Sequence, residues 1–144
     1  MKIEQQCVSL ELSKRLKELG VKQESLFYYE GTAIEIGAGI GYVLHFGKQL
    51  VWEGAAHVSA FTVAELGEML PAKIEVGKKD GFFGCWKRTS PFTSSKKWGC
   101  NYQNLDERPI HFENNDTEAD ARAKMLIYLL ENKLIPAEGR DMVE

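Results

Sequence analysis

The stretch TEADARAKMLIYLLENKL, residues 117–134, carries the clearest helical pattern in the chain. On a helical wheel Ala119, Ala123, Leu126, Ile127, Leu130 and Leu134 fall in one stripe about 100° wide, the mark of a helix lying on a core. Met125 and Leu129 widen that face, which predicts cover on more than one side. The small Ala119 and Ala123 let the first half approach a sheet closely. Thr117 or Asp116 caps the start, and Glu118 and Asp120 suit the positive end of the helix dipole. Asp120–Lys124 and Glu118–Arg122 are acid-before-base pairs at i,i+4, each worth a few tenths of a kcal/mol. Pro136 stops any continuation. The rest of the chain must supply the surfaces this helix packs on.

Working back toward the N-terminus, residues 73–113 read as a four-stranded antiparallel meander. KIEVGK and FFGCWKR flank Asp80-Gly81, a two-residue hairpin signal. KKWGCNYQ follows, then RPIHFE, where Pro109 marks a strand start or an edge. A turn at Asp80-Gly81 pairs Val76 with Cys85, and the next connection pairs Cys85 with Cys100. One face then carries Ile74, Val76, Phe83, Cys85, Trp98, Cys100, Tyr102, Ile110 and Phe112, and packs on the C-terminal helix. The other face turns Trp86, Arg88 and Lys97 outward, with Trp86 opposite Gly99.

Ahead of the meander, Thr62 and Glu65 form a capping box for a short helix over residues 62–70, with Phe61 stapled to Leu66 and Pro71 ending it. Residues 31–57 contain AIEIG, YVLHFG and QLVWE as candidate strands. The glycines around Gly37, Gly39 and Gly41 match neither GxGxxG nor GxxxxGK[ST], and no helix follows, so a hairpin is favoured over a phosphate loop. SLFYYE, residues 25–30, reads as a strand. Residues 7–19 read as a helix with Val8, Leu12, Leu16 and Leu19 on one face and Glu11–Arg15 on the wet side. Gly20 suits the left-handed residue that ends it, with Val21 folding back.

The chain has 144 residues, 44% hydrophobic and 27% charged, which suits one α+β domain over residues 1–144 with a polar, fraying tail from Ala137. Three helices are expected to cover the sheet. No apolar run approaches the roughly 20 residues of a membrane span. The N-terminus lacks a signal-peptide pattern, and the three cysteines, Cys7, Cys85 and Cys100, read as reduced thiols in a cytoplasm. A Cys85–Cys100 disulfide is conceivable, but in that setting both read as small buried hydrophobes. Cys7, near a helix start, is a candidate for a lowered pKa. His57, in GAAHVSAF, reads as a solvated loop residue. No CxxC, HxH or HExxH spacing points to a metal, and no cofactor is implied.

Net charge is −3, yet the segment from Val76 to Asn104 holds Lys78, Lys79, Lys87, Arg88, Lys96 and Lys97 against Asp80 alone, a net of +5. The remainder carries a net of −8. Trp86, Lys87, Arg88, Lys96 and Lys97 are therefore the candidate binding residues, and no residue is assigned as catalytic. The reading is a small non-catalytic module binding a protein partner, without a membrane, and with a homodimer through an exposed edge left open. The alternative is nucleic-acid or nucleotide binding by the basic aromatic hairpin 78–102, where aromatics stack bases and cations neutralise phosphates. A second alternative is an enzyme with a reactive cysteine or histidine.

CVSLELSKRLKELGVKQESLFYY, TVAELGEMLP and EADARAKMLIYLLENKLI together resemble a group of small uncharacterised proteins of Bacteroides-type bacteria, phages and prophages. The resemblance covers roughly half of the chain and leaves out the glycine-rich segment and the basic hairpin. It implies an intracellular, phage-derived accessory protein. It brings no catalytic residue.

Overall fold

The computed structural model describes residues 2–33, 40–47, 56–87, 97–106 and 108–135. In chain order the elements are α1 (Ile3–Gln6), α2 (Leu10–Glu18), β1 (Phe27–Ala33), β2 (Ile40–Phe46), β3 (Ala56–Ser59), α3 (Val63–Met69), β4 (Lys73–Val76), β5 (Lys79–Lys87), β6 (Trp98–Gln103), β7 (Pro109–Asn115) and α4 (Glu118–Glu131). The strands form two antiparallel sheets, one ordered β2-β1-β3 and the other β4-β5-β6-β7. The fold is α+β, with the expected four-stranded meander and, among the described residues, four helices rather than three.

Helix α4 lies against β6 and β7 and also meets α1, α2 and α3. Ala119, Ala121, Ala123, Met125, Leu126 and Leu129 are all buried, so the helix is covered on more than one side. Thr117 caps it by accepting from the Asp120 N–H at 3.2 Å, and Glu118 pairs with Arg122 at 2.9 Å. Asp120 feels Lys124 electrostatically, as the spacing suggests, while Lys124 Nζ itself donates to the Asn114 carbonyl at 3.4 Å. The Asp120 carboxylate accepts the Ser9 N–H at 2.7 Å and so ties α4 to the chain entering α2. Burial holds the Asp120 carboxyl above its usual range, opposed by that hydrogen bond. The helix ends three residues earlier than its apolar pattern. Lys133 takes the left-handed conformation (φ 55°), and the Lys133 and Leu134 N–H groups bond back to Leu130 and Leu129.

The expected helix over residues 7–19 starts three residues later, at Leu10, and the one-turn α1 that precedes it is the extra helix. Cys7 is extended, Cys7 and Val8 are both buried, and their backbone pairs with Thr62 and Phe61. Two buried residues recruited to that pairing cannot also form helix hydrogen bonds. α2 ends as its sequence indicates: Gly20 is left-handed, and the Val21 N–H bonds the Leu16 carbonyl at 3.1 Å. Arg15 pairs with Glu131 at 2.9 Å and Glu18 at 3.2 Å, not with Glu11. The Thr62–Glu65 capping box of α3 is present, with Phe61 and Leu66 in the same core.

In the first sheet β1 begins two residues later than SLFYYE and runs on to Ala33. Residues 34–39 and QLVWE lie outside the described residues. In the second sheet the turn sits at Gly77-Lys78, with Val76 opposite Lys79, and not at Asp80-Gly81. Gly77 is left-handed (φ 64°), the conformation such a turn demands. Gly81 is instead a strand residue facing the core, where a Cβ would come within 2.6 Å of the Ile110 side chain. The expected pairing of Val76 with Cys85 therefore fails, while Cys85↔Cys100 and Trp86↔Gly99 hold. A bulge where Tyr102 and Gln103 meet β7 shifts the alternation there. Ile110 packs on the core and His111 stacks on Tyr128 of α4, with ring centroids 3.5 Å apart, while Phe112 turns to the opposite face and leaves the core set expected for it.

Leu129→Ala should lower unfolding free energy by about 2–5 kcal/mol, whereas Leu105→Ala, 83% exposed, should stay within about 0.5 kcal/mol, both read by urea titration. Lys133→Gly should raise the same quantity by up to about 1 kcal/mol, because glycine occupies the left-handed position without a Cβ penalty.

Candidate functional site

The meander has two chemically different faces. Cys100 and Tyr102 of β6 are fully buried on the α4 side, and the Tyr102 hydroxyl donates to the Pro71 carbonyl at 2.6 Å. Alternation sends Gly99, Asn101 and Gln103 to the other side. Their partners there are Trp86 opposite Gly99, Gly84 and Phe112 on either side of Asn101, and Phe82 opposite Gln103. Phe82, Trp86 and Phe112 remain 40, 39 and 39% exposed, so this outer face is open to solvent.

The glycines shape it. A Cβ on Gly99 would lie 3.1 Å from the Phe112 ring and 3.2 Å from the Trp86 ring, so both rings settle over that bare backbone. Their centroids are 5.9 Å apart with planes tilted by 33°. A Cβ on Gly84 would lie 3.2 Å from Asn101 Oδ1. Asn101 is nearly buried, and its Nδ2 donates to Gln103 Oε1 at 2.9 Å. β4 and the start of β5 add Lys73, Glu75 and Asp80 to this face, with Lys73 and Asp80 paired at 3.4 Å.

The three described candidate binding residues, Trp86, Lys87 and Lys97, do not gather at one place. Trp86 belongs to the outer face. Lys87 is opposite Trp98 and so points to the α4 side. Lys87, Lys97 and Trp98 line a cleft of about 290 Å³ beside the start of α4, where Asp116 and Glu118 oppose the two lysines. Arg88 and Lys96 lie outside the described residues. Adjacent strand residues point to opposite faces, so the separation of Trp86 from Lys87 was available from period-2 alternation alone. Phe112 was missed as a companion of Trp86 because no sequence signal marks the bulge that turns it outward.

A second cluster lies on the three-stranded sheet. The Glu30 carboxylate is 3.1 Å from His45 Nε2 and 3.9 Å from His57 Nε2. Tyr28 stacks on His45 and tilts against His57. His57 is a strand residue, only 11% exposed along its side chain, and its Nε2 is buried without a hydrogen bond. This corrects its reading as a solvated loop histidine. Among the described residues no group of three His, Cys, Asp or Glu side chains is placed to hold a metal ion.

Cys7 also differs from expectation. It follows the short α1 instead of starting a helix, and burial, with Glu65 and Glu4 adding to it, pushes its thiol up to about 11. Such a thiol holds its proton at neutral pH and is a poor nucleophile.

Compared with protein-family models, with curated proteins and with solved structures, the chain gives no match.

The raised Cys7 pKa has a stability consequence. Between pH 9 and pH 11 the unfolded chain releases the Cys7 proton while the folded chain keeps it, so this group's contribution to stability falls as pH rises. Denaturation of wild type across that window should weaken more steeply with pH than that of Cys7→Ala.

Proposed function

We propose that the protein is a small non-catalytic binding module that receives a protein partner on the outer face of its four-stranded sheet. The observation that carries this reading is the exposure of Phe82, Trp86 and Phe112 on one open sheet face, with the Trp86 and Phe112 rings set over Gly99. Rigid aromatic side chains of this kind supply most of the binding energy at protein interfaces, and polar neighbours such as Asn101 and Gln103 give direction. On β4 and the start of β5, Lys73 pairs with Asp80 beside Glu75, and Lys87 points to the α4 side. Phosphate binding needs cations beside the stacking rings. The resemblance to phage and prophage proteins supports an accessory role in that setting.

The test places a photo-cross-linking amino acid at Phe82 and, as a control, at Glu11 on the exposed side of α2, in the native cell. A discrete protein adduct should form from position 82 alone and disappear on adding Trp86→Ala. That substitution should cost at most about 2 kcal/mol of stability, because the side chain is already partly in water. No adduct at position 82 would overturn the reading. So would saturable quenching of tryptophan fluorescence by a short single-stranded oligonucleotide that fades as salt rises, which would put nucleic acid first.

A further inference from the structure

The α4 side of the same sheet carries a feature that the binding reading does not use. Cys85 and Cys100 are direct partners on β5 and β6, and their sulfur atoms lie 2.8 Å apart. Opposed residues on antiparallel strands have Cα atoms about 4.5–5.5 Å apart, within the roughly 4.4–6.8 Å that a disulfide spans. The strand ladder has therefore set the backbone spacing a bridge requires. Reaching a bond of about 2.05 Å needs the sulfurs to close by only about 0.8 Å.

The two thiols are not equivalent. Cys100 is fully buried, while Cys85 is partly exposed. The hydrogen bond from Cys100 lowers the Cys85 pKa, and the Arg122 guanidinium lowers it further against the opposing effect of burial. The same hydrogen bond and burial push Cys100 the other way. Arg122 is held in place. Its Nε and one terminal nitrogen donate to Glu118 Oε1 at 3.1 and 2.9 Å, and its guanidinium lies 5.4 Å from the Phe83 ring centre. A partly exposed thiol with a fixed cation beside it and a buried thiol behind it is the arrangement of an attacking and a resolving cysteine.

We propose that Cys85 and Cys100 form a redox-active dithiol that reacts with low-molecular-weight disulfides and closes to a cross-strand bridge between β5 and β6. The Cys85 thiolate, its proton released to water, attacks one sulfur of the small disulfide. A mixed disulfide forms, and the first small thiolate leaves. Cys100 then attacks the Cys85 sulfur, a bond forms between the two protein sulfurs, and the second small thiolate departs with the Cys100 proton. Two electrons pass from the protein to the small disulfide, which ends as two thiols. Cys7 takes no part, because its proton is firmly held and it is buried elsewhere in the core.

The test incubates the full, folded chain with oxidised glutathione, blocks free thiols with iodoacetamide and reads intact mass and linked peptides. Wild type should lose the mass of two hydrogen atoms, yield a Cys85–Cys100 peptide pair, and recover both thiols on reduction. Cys100→Ser should stop at one glutathione on Cys85. Cys85→Ser should be capped at Cys100 about tenfold more slowly or worse, since the remaining thiol is buried and holds its proton. Adding Arg122→Gln to Cys100→Ser should slow capping of Cys85 several-fold. The proposal is overturned if both thiols of wild type stay free in the folded state while the unfolded chain oxidises. It is also overturned if wild type stalls as the mixed disulfide. Equal capping of the two single variants would remove the assigned roles.

Discussion

Burial of α4 on more than one side is the constraint from which the remaining contacts follow. Three alanines in its first two turns, Ala119, Ala121 and Ala123, allow close approach, and Met125, Leu126 and Leu129 fill the space further along. A helix covered by a sheet on one side and helices on another has few polar positions left, and each of them becomes a tie. Asp120 holds the backbone at Ser9, Glu131 holds Arg15 of α2, and Tyr128 stacks on His111 of β7. Glu118 fixes Arg122 over Phe83 and beside Cys85. The N-terminal helices, the sheet and the dithiol are thereby registered against one rod.

That packing divides the chemistry of the meander. The face under α4 is apolar and contains the two opposed thiols. The face away from it keeps aromatic side chains in water, which costs solvation free energy unless something covers them for part of the time. The two faces meet at adjacent rungs of the ladder. Cys85 and Cys100 sit on one side, and one residue along each strand, Trp86 and Gly99 sit on the other.

Much of the architecture was legible because it rests on local energetics. The C-terminal helix, the capping box at Thr62 and Glu65, the left-handed end of α2 at Gly20 and the meander itself all follow from side-chain periodicity and backbone preferences within a few residues. The opposition of Cys85 and Cys100 also follows from the pattern, although the Asp80-Gly81 signal misplaces the first turn, which lies at Gly77-Lys78. Pairing β5 with β6 depends on the connection that follows β5, so the error at the preceding turn did not propagate. The candidate basic site fared differently. A count of lysines along the chain carries no information about which side of a strand each one takes, and Lys87 belongs with Trp98, not with Trp86.

The sequence by itself determined the α+β class, the caps and the amphipathic rod, because each is decided by neighbours one to four residues apart. Only the tertiary structure decided the late start of α2 after the buried Cys7 and Val8, the company of Glu30 with His45 and His57, and the exposure of Phe112. These depend on which distant backbone groups compete for the same hydrogen bonds, and on a bulge that reverses alternation at one point in β7. Strand pairing and bulges are settled by the fit of whole surfaces, and no short stretch of residues encodes that fit.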